Sequence, residues 1–292
     1  MDFQFPIQFF AIFLQLKINK IMSFIIINGK IQLNSTCLTT NNRAFRYGDG
    51  LFESMRFFDG HIPFLNQHIT RLYKGMKILG YHSCDCLREE KARAMITALC
   101  HRNKIFDSAR IRITVYREDG GLYAPDNDYF DFIIEATQCH DMEFTLNKRG
   151  LILGISKEYQ KPLNQFSEIK TMNALLQVMA AREARENNWD DALLVNEKGS
   201  IAEAAASNLF IIKDNVIYTP PIEDGAMDGI MRQQIAHIVK QTDYQLRVQS
   251  LKTVDIKTAD EIFLTNAVKG IVWVVGFENK RYFNKAAKSH GA

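Results

Sequence analysis

The chain has 292 residues, of which 36 are basic and 33 are acidic, so its formal net charge at pH 7 is only +3. This length is enough for one large domain or for two modest ones, each with a core of its own. Charges of both signs are interspersed, and no basic stripe alternates with aromatic residues, so nucleic acid is not expected to be a partner.

The five cysteines indicate a reducing compartment rather than a disulfide framework, because their number is odd and none forms a Cys-x-x-Cys pair. We therefore expect a cytoplasmic protein. Cys84 and Cys86 are too closely spaced for the usual zinc ligands, and no pair of histidines completes a set. No metal site is predicted.

The first 21 residues are rich in Phe and Ile but are interrupted by Pro6 and several glutamines. Their longest apolar run, residues 9–14, is far shorter than the ~20 residues that a membrane span requires. The segment also lacks the basic leader and cleavage site of a signal peptide. We predict that residues 1–21 are an appendage, that Met22 is a plausible true start, and that no membrane is involved.

Residues 22–136 are predicted to form a small N-terminal domain. Asn28-Gly29 and Asp59-Gly60 each separate two short apolar runs, which predicts two tight hairpins, because such dipeptides supply positive φ angles. Residues 42–50, with two glycines, predict a loop between them. The expected elements are hairpin strands at Phe24–Ile27, Lys30–Leu33, Leu51–Phe58 and His61–Phe64, helices from Asn66 to Gly80 and from Cys86 to His101, and strands at Ile111–Tyr116 and Phe130–Ala136.

Polar residues 137–148 predict a linker, and residues 149–292 predict a C-terminal domain that mixes strands and helices. Apolar residues recur after Lys170 at the spacing of one helix face: Met172, Leu175, Leu176, Met179 and Ala180. This spacing places Lys170 at the mouth of a helix. A lysine in such a position is ordinarily solvated.

Glu203 is the only carboxylate in a patch of small residues on a predicted strand. The neighbouring alanines would let a flat ligand approach the backbone, although a glutamate on a strand edge faces water about equally often. Two turns are candidate anion sites. The first precedes the helix that starts at Ile230, whose terminal N–H groups favour an anion; the second, Thr265-Asn266, follows an apolar strand and adds a hydroxyl group.

Five segments in this order resemble the class IV aminotransferase family: Tyr47 to Arg56, Lys170, Ile201 to Phe210, Val216 to Pro220, and Gly229 to Gln233. The likeness runs from about Met22 to near the C-terminus. It implies an α+β, two-domain, fold-type IV enzyme that uses pyridoxal 5′-phosphate (PLP), with the cofactor between a small N-terminal domain and a larger C-terminal one. It also implies a homodimer and a small-molecule amino substrate.

The resemblance further implies roles for individual residues. Lys170 would condense with the PLP aldehyde and act as general base and acid, and Glu203 would face the pyridine nitrogen. Met231 stands where branched-chain members carry threonine, so only its backbone N–H can donate there. The implied cofactor contacts are Lys170, Glu203, Arg71, Ile230, Met231, Thr265, Asn266 and Ser207, and the implied substrate pocket consists of Tyr47, Arg56, Arg117 and Tyr123.

The family contains enzymes with different reactions. Branched-chain members carry a tyrosine five residues after the lysine, whereas position 175 here is leucine. Together with the Gly229 to Gln233 segment, this favours 4-amino-4-deoxychorismate lyase, which eliminates pyruvate to give 4-aminobenzoate. The alternative is an amino-acid aminotransferase. A binding protein without activity is disfavoured, because binding alone needs neither a reactive amine nor a carboxylate at the ring nitrogen.

Overall fold

The structure, a computed structural model, describes residues 23–35, 38–139, 141 and 143–285. The predicted appendage, residues 1–21, lies outside these described residues, as does Cys37. Within them the chain forms two β-sheets and six α-helices. None of these helices is long and apolar enough to cross a membrane.

The first sheet contains five antiparallel strands in the order β2-β1-β5-β4-β3. Its first hairpin is as predicted: Asn28 and Gly29 have φ angles of 49° and 82°, which suit a turn that needs positive φ at both positions. The strands are β1 (Phe24–Ile27), β2 (Lys30–Leu33), β3 (Gly50–Phe58), β4 (Ser108–Arg117) and β5 (Phe130–Gln138).

Three helices belong to this half: α1 (Arg43–Tyr47), α2 (Leu65–Ile78) and α3 (Glu89–Arg102). Helix α2 packs on β3, and α3 packs on β1 and β5. The apolar stripe of α2 includes Leu65, Ile69, Leu72 and Met76, and these side chains join Ile111 and Ile113 of β4 in one buried core. Alternation along β4 thus leaves its other face free to line a cavity.

The second predicted hairpin forms only at its turn. Asp59 and Gly60 have φ angles of 41° and 80°, and Phe58 and His61 exchange two backbone hydrogen bonds, at 2.8 and 2.7 Å. The predicted strand at His61–Phe64 is wrong, because the pairing does not continue beyond His61. Pro63 cannot donate a ladder hydrogen bond, and α2 begins two residues later. The predicted loop at 42–50 contains α1, which begins after Asn42, whose side chain accepts a hydrogen bond from the Phe45 N–H.

The second sheet contains nine strands in the order β11-β10-β9-β12-β13-β6-β7-β8, and β14 pairs with β13. The pairs β6/β7, β6/β13 and β10/β11 are parallel, and the others are antiparallel. The strands are β6 (Leu151–Lys161), β7 (Asp191–Asn196), β8 (Ile201–Ala204), β9 (Asn208–Lys213), β10 (Val216–Thr219), β11 (Gln245–Val248), β12 (Glu261–Asn266), β13 (Gly270–Phe277) and β14 (Lys280–Arg281).

Helices α4 (Leu175–Glu186), α5 (Ile230–Ile238) and α6 (Thr253–Thr258) accompany this sheet. Helix α4 packs on β6 and β7, and α5 packs on β12. Short 3-10 turns at Ile222–Asp224 and Val239–Gln241 complete the second half. The strand and helix content and the division into two sheets agree with the predicted α+β, two-domain class.

Lys170 does not lie at the mouth of a helix. It sits in an extended segment that hydrogen bonds to β3, because the Phe52 N–H donates to the Lys170 carbonyl at 2.9 Å. Helix α4 begins only at Leu175, which is 71% exposed, and its buried residues are Ala180, Glu183 and Ala184. The predicted apolar stripe is thus only partly correct, because Leu176 and Ala180 pack against Ala192 and Leu194 of β7 whereas Leu175 faces outward.

The cysteine composition predicts no disulfide framework, but the structure joins Cys84 to Cys86 through one disulfide. Both residues lie in the turn between α2 and α3. Cys100 is a buried free thiol, and Cys139 is a half-exposed one. In the described part of the chain, no group of three His, Cys, Asp or Glu side chains could hold a metal ion.

Candidate active site

A cavity of about 800 Å³ lies between the two sheets. Its floor comes from one face of β3 and β4, and its opposite wall comes from β6, β8, α5 and the turn after β12. The residues of both halves therefore meet around one space, as expected for a ligand-binding cleft.

Lys170 projects into this cavity, with its Nζ atom 4.5 Å from the centre of the Phe52 ring. Burial lowers the pKa of this amine from 10.5 to about 8, because desolvation disfavours the charged form. The charges of Arg71 and Arg112 lower the pKa further, whereas Glu53 and Glu203 oppose the change. The neutral, nucleophilic amine is thus accessible near physiological pH.

Glu203 lies on β8 and is only 5% exposed, so it does not face water. Its Oε1 atom accepts a hydrogen bond from the Lys161 Nζ at 2.5 Å. Its Oε2 atom accepts one from the Met227 N–H at 2.8 Å. The carboxylate is therefore held by one charged donor and one backbone donor, and it borders the cavity beside Ala204, Ala205 and Ala206.

Arg71 lines the cavity from α2 and is anchored on its inner side. Its Nε and Nη2 atoms donate to the two oxygens of Glu53 at 2.8 and 2.6 Å, and its Nη1 atom donates to the Asp228 carbonyl at 2.9 Å. The His68 ring also contacts Glu53, at 2.7 Å. Burial alone would raise the pKa of Glu53, but the charge of Arg71 and these hydrogen bonds outweigh it and lower the pKa to about 2.

Two further features provide donors without partners. Helix α5 has no side-chain cap at its N-terminus, so the first N–H groups, at Ile230 and Met231, are available at the cavity wall. The Thr265 hydroxyl group is buried at the same wall and has no hydrogen-bond partner among the described residues. A Cβ atom on Gly229 would lie 1.9 Å from the Asn208 Oδ1 atom, so only glycine permits this close turn.

Asn266 and Ser207 hydrogen bond to each other and stabilise the turn that forms part of the cavity wall. The Asn266 side chain donates to the Ser207 Oγ at 2.9 Å and accepts hydrogen bonds from the Val268 and Lys269 N–H groups. These contacts fix the turn after β12. The Asn266 side chain is therefore used within the protein, although both residues border the cavity.

The floor carries cationic and polar side chains on one face of the first sheet. Ser54 lies directly opposite Arg112 in the β3/β4 register, and Arg110 follows on the same face. The Arg112 guanidinium stacks over Phe52, with its Cζ atom 3.8 Å from the ring centre. The Ser54 hydroxyl group is buried and has no hydrogen-bond partner in the described chain.

The four predicted substrate-pocket residues are not brought together. Tyr47 lines the cavity. The centres of the Tyr47 and Tyr123 rings are 5.5 Å apart, although the Tyr123 side chain is 90% exposed. Arg56 and Arg117 point elsewhere. Arg56 donates to the Ser108 hydroxyl and to the carbonyls of Asp141 and Val268, whereas Arg117 binds Asp49, Asp128 and the Leu79 carbonyl.

Sequence reasoning missed three residues that line the cavity, Ser54, Arg112 and Lys161. It also missed Glu53, which holds Arg71. The alternation of Arg110, Arg112 and Thr114 along β4 is a signal that could have been used, because a polar face on a buried strand needs a reason. Glu53 lies inside the Tyr47 to Arg56 segment and was not singled out. Nothing near Lys161 in the sequence distinguishes it from a surface lysine.

The family model for amino-transferase class IV matches residues 50–277. The chain belongs to this family. It is 28% identical over 263 residues to a putative branched-chain-amino-acid aminotransferase of Methanocaldococcus jannaschii, with 89% of this chain and 90% of the relative covered. It is 27% identical over 272 residues to an aminodeoxychorismate lyase of Bacillus subtilis, with 92% and 91% covered.

A solved structure of the T.th. branched-chain amino acid aminotransferase with pyridoxamine 5′-phosphate superimposes with a TM-score of 0.79 at 24% identity, covering 89% of this chain and 87% of that one. The fold-type IV architecture is thereby confirmed. Because this family depends on PLP, the chain is a PLP-dependent enzyme, as the sequence resemblance implied.

Proposed function

We propose that this cavity binds PLP with its phosphate between Arg71, the N-terminus of α5 and Thr265. The observation that supports this placement is the set of unused donors: the uncapped helix N–H groups and the buried, partnerless Thr265 hydroxyl group. A phosphate dianion would satisfy these donors, and the guanidinium of Arg71 adds a fixed positive charge. Lys170 and Glu203 would then border the reactive carbon and the ring nitrogen.

When bound, PLP supplies the electron sink that stabilises negative charge on the α-carbon of an amino substrate. Lys170 takes the proton from this carbon at its Nζ atom. Its lowered pKa of about 8 leaves a useful fraction of neutral amine at neutral pH. Glu203, buried and hydrogen bonded on both oxygens, presents a fixed negative charge to the ring.

The reaction that we favour is 4-amino-4-deoxychorismate lyase activity, and the cationic floor carries this proposal. The substrate has two carboxylates, and Arg110, Arg112 and Lys269 line the cavity in addition to the residues assigned to the cofactor. Loss of the ring proton to Lys170 and cleavage of the bond between the ring carbon and the ether oxygen make the ring aromatic. The leaving enolpyruvate takes up a proton and becomes pyruvate.

Ser54 suits the departing oxygen. Its buried hydroxyl group has no partner in the described chain and lies opposite Arg112 in the strand register. A hydroxyl at this place can donate a hydrogen bond to the ether oxygen while negative charge develops on it. Leu175, at the position where the resemblance places a tyrosine in branched-chain members, is 71% exposed and does not line the cavity.

The test supplies aminodeoxychorismate to the PLP-loaded enzyme in the absence of any 2-oxo acid. Release of 4-aminobenzoate and pyruvate in equal amounts is the expected result. Ser54→Ala should lower this rate while leaving the PLP absorption spectrum unchanged, since the hydroxyl group is assigned to the leaving group and not to the cofactor. No product from aminodeoxychorismate would overturn the lyase assignment.

Amino-acid transamination is the second candidate, because the same floor would also suit the side-chain carboxylate of glutamate. The similarity to a putative branched-chain-amino-acid aminotransferase supports this alternative. It predicts rapid exchange of the amino group between leucine or alanine and 2-oxoglutarate. This exchange, together with inactivity toward aminodeoxychorismate, would decide for the aminotransferase.

We also propose that the enzyme is a homodimer that covers the mouth of the cavity. Large apolar side chains are exposed there and nearby: Phe45 on α1 is 75% exposed, Tyr123 is 90% exposed, and Leu175 at the start of α4 is 71% exposed. Exposed apolar side chains near a functional cleft are typical of interfaces. Sedimentation at working concentration should give twice the chain mass, and a fully active monomer would refute the proposal.

A further inference from the structure

Strand β6 contains an irregularity just before it reaches the cavity. Ile155 pairs with Leu193 of β7, but the next paired residue is Gln160, opposite Val195. Residues 156–159 therefore have only Leu194 opposite them. A bulge of this kind redirects the strand, and such irregularities occur next to active sites.

The bulge is held by a buried glutamate. Glu183 of α4 is 7% exposed, and its carboxylate accepts hydrogen bonds from the Ser156 hydroxyl at 2.6 Å and from the Lys157 N–H at 3.0 Å. The Tyr159 N–H donates in turn to the Ser156 Oγ at 3.3 Å, so two backbone N–H groups of the irregular stretch have side-chain partners. These side-chain contacts stabilise the bulge. Lys161, which follows the bulge in β6, lies at the cavity wall.

Lys161 is 4% exposed and reaches Glu203 two strands away in the sheet. Its aliphatic stem passes Gly225, where an added Cβ atom would lie 3.1 Å from the Lys161 Cγ. Gly225 has a φ angle of 87°, which favours glycine, so the turn leaves room for this stem. The Nζ atom then lies 2.5 Å from the Glu203 Oε1 atom.

A buried ion pair adds little net stability, because the cost of removing two charges from water is comparable with the attraction between them. The position of the Lys161–Glu203 pair at the cavity wall suggests a functional role instead. Two other charged groups of the described chain also interact with Glu203: Lys170, which borders the same cavity, and Asp191 of β7. Lys161 is the one of these that touches the Glu203 carboxylate directly.

We infer that Lys161 is a positioning residue that keeps the Glu203 carboxylate aligned toward the ring nitrogen and limits how strongly that carboxylate holds the ring proton. This inference rests on the proposed placement of the ring nitrogen at Glu203. The positive charge competes with the ring for the same carboxylate. Lys161 therefore sets the proton affinity of the bound cofactor, although it touches neither the substrate nor the reacting carbon.

The experiment measures the pH titration of the visible absorption band of the PLP-loaded protein, for the wild type, Lys161→Met and Lys161→Arg. Removing one positive charge should raise the midpoint by about one pH unit, if the charge acts over ~10 Å at an effective dielectric constant of ~20. Lys161→Arg keeps the charge and should titrate close to the wild type. Thermal unfolding of each variant provides the folding control.

Three outcomes are distinguishable. A midpoint that rises in Lys161→Met and returns in Lys161→Arg supports the inference. If Glu203→Gln shifts the titration but Lys161→Met does not, Glu203 faces the ring and Lys161 has only a structural role, which overturns the inference alone. If Glu203→Gln leaves the titration unchanged, the proposed placement of the ring nitrogen fails, and the inference fails with it.

Discussion

Glu53 offers the sharpest test of how Arg71, the arginine that we propose binds the cofactor phosphate, is held. The pKa of this buried carboxyl group falls from 4.5 to about 2 in the fold. At ~1.4 kcal/mol for each pH unit, the ionised form is stabilised by about 3 kcal/mol. The contribution is fully present above pH 4.5 and is lost as the pH falls from 4.5 toward 2, because the folded-state pKa is the lower one.

Glu53→Gln keeps the shape of the side chain but leaves the Arg71 guanidinium without its charged partner. We expect the free energy of unfolding at pH 7 to fall by about 3 kcal/mol, since breaking a buried pair leaves an uncompensated charge. The variant should also lose the part of the acid sensitivity that the wild type shows between pH 4.5 and 2. Urea denaturation at several pH values measures both effects.

A matched control is Glu186→Gln. Glu186 pairs with Arg182 on the surface of α4, at 2.7 Å, but both side chains are more than half exposed. Exposed pairs contribute little to stability because solvent screens their attraction, so Glu186→Gln should unfold like the wild type. Equal stabilities of Glu53→Gln and the wild type at pH 7, or an unchanged acid profile, would refute the reasoning that Glu53 is ionised and paired.

Further predictions concern the cavity. The rate at which the PLP-free protein forms a borohydride-reducible adduct with PLP should rise with pH around 8 rather than 10.5, because the neutral amine of Lys170 is the reactive form, and Lys170→Ala should form no adduct. Thr265→Val should weaken PLP binding about tenfold, measured by fluorescence titration, since one hydrogen bond to a charged group is worth ~1.5 kcal/mol or more. Arg112→Met should raise the KM for a dianionic substrate at least tenfold while the affinity for PLP changes little; a KM within twofold of the wild type would remove Arg112 from the substrate site.

The sequence was more informative about which residues share the cavity than about the path of the chain between them. Lys170, Glu203 and Arg71, which the family resemblance implied as cofactor contacts, all border one cavity, and their roles there stay predictions. The turn at Asp59-Gly60 was predicted, but the strand after it does not form, because Pro63 has no N–H group to donate and a helix begins at Leu65. The local pattern of apolar and polar residues does not show how far a strand pairing continues beyond its turn.

The direction in which side chains point was the second feature that the sequence did not predict. Arg56 and Arg117 belong to suggestive segments, yet their guanidinium groups are occupied by backbone carbonyls and by carboxylates that are distant in sequence. Lys161 shows the converse case. Its sequence surroundings are ordinary, and its role depends on a bulge and on a glycine turn that come together only in the fold.

The extended segment that carries Lys170 has a consequence for dissecting the protein. By sequence Lys170 belongs to the C-terminal half, but its segment is joined to β3 of the N-terminal half through the Phe52 N–H and the Gly50 carbonyl. The unit defined by hydrogen bonding thus differs from the unit defined by chain order. A C-terminal fragment that starts at the predicted linker would carry Lys170 without β3, the strand to which its segment is hydrogen bonded. If the two halves were expressed separately, they would have to form these backbone hydrogen bonds again before the Lys170 amine could take its position in the cavity.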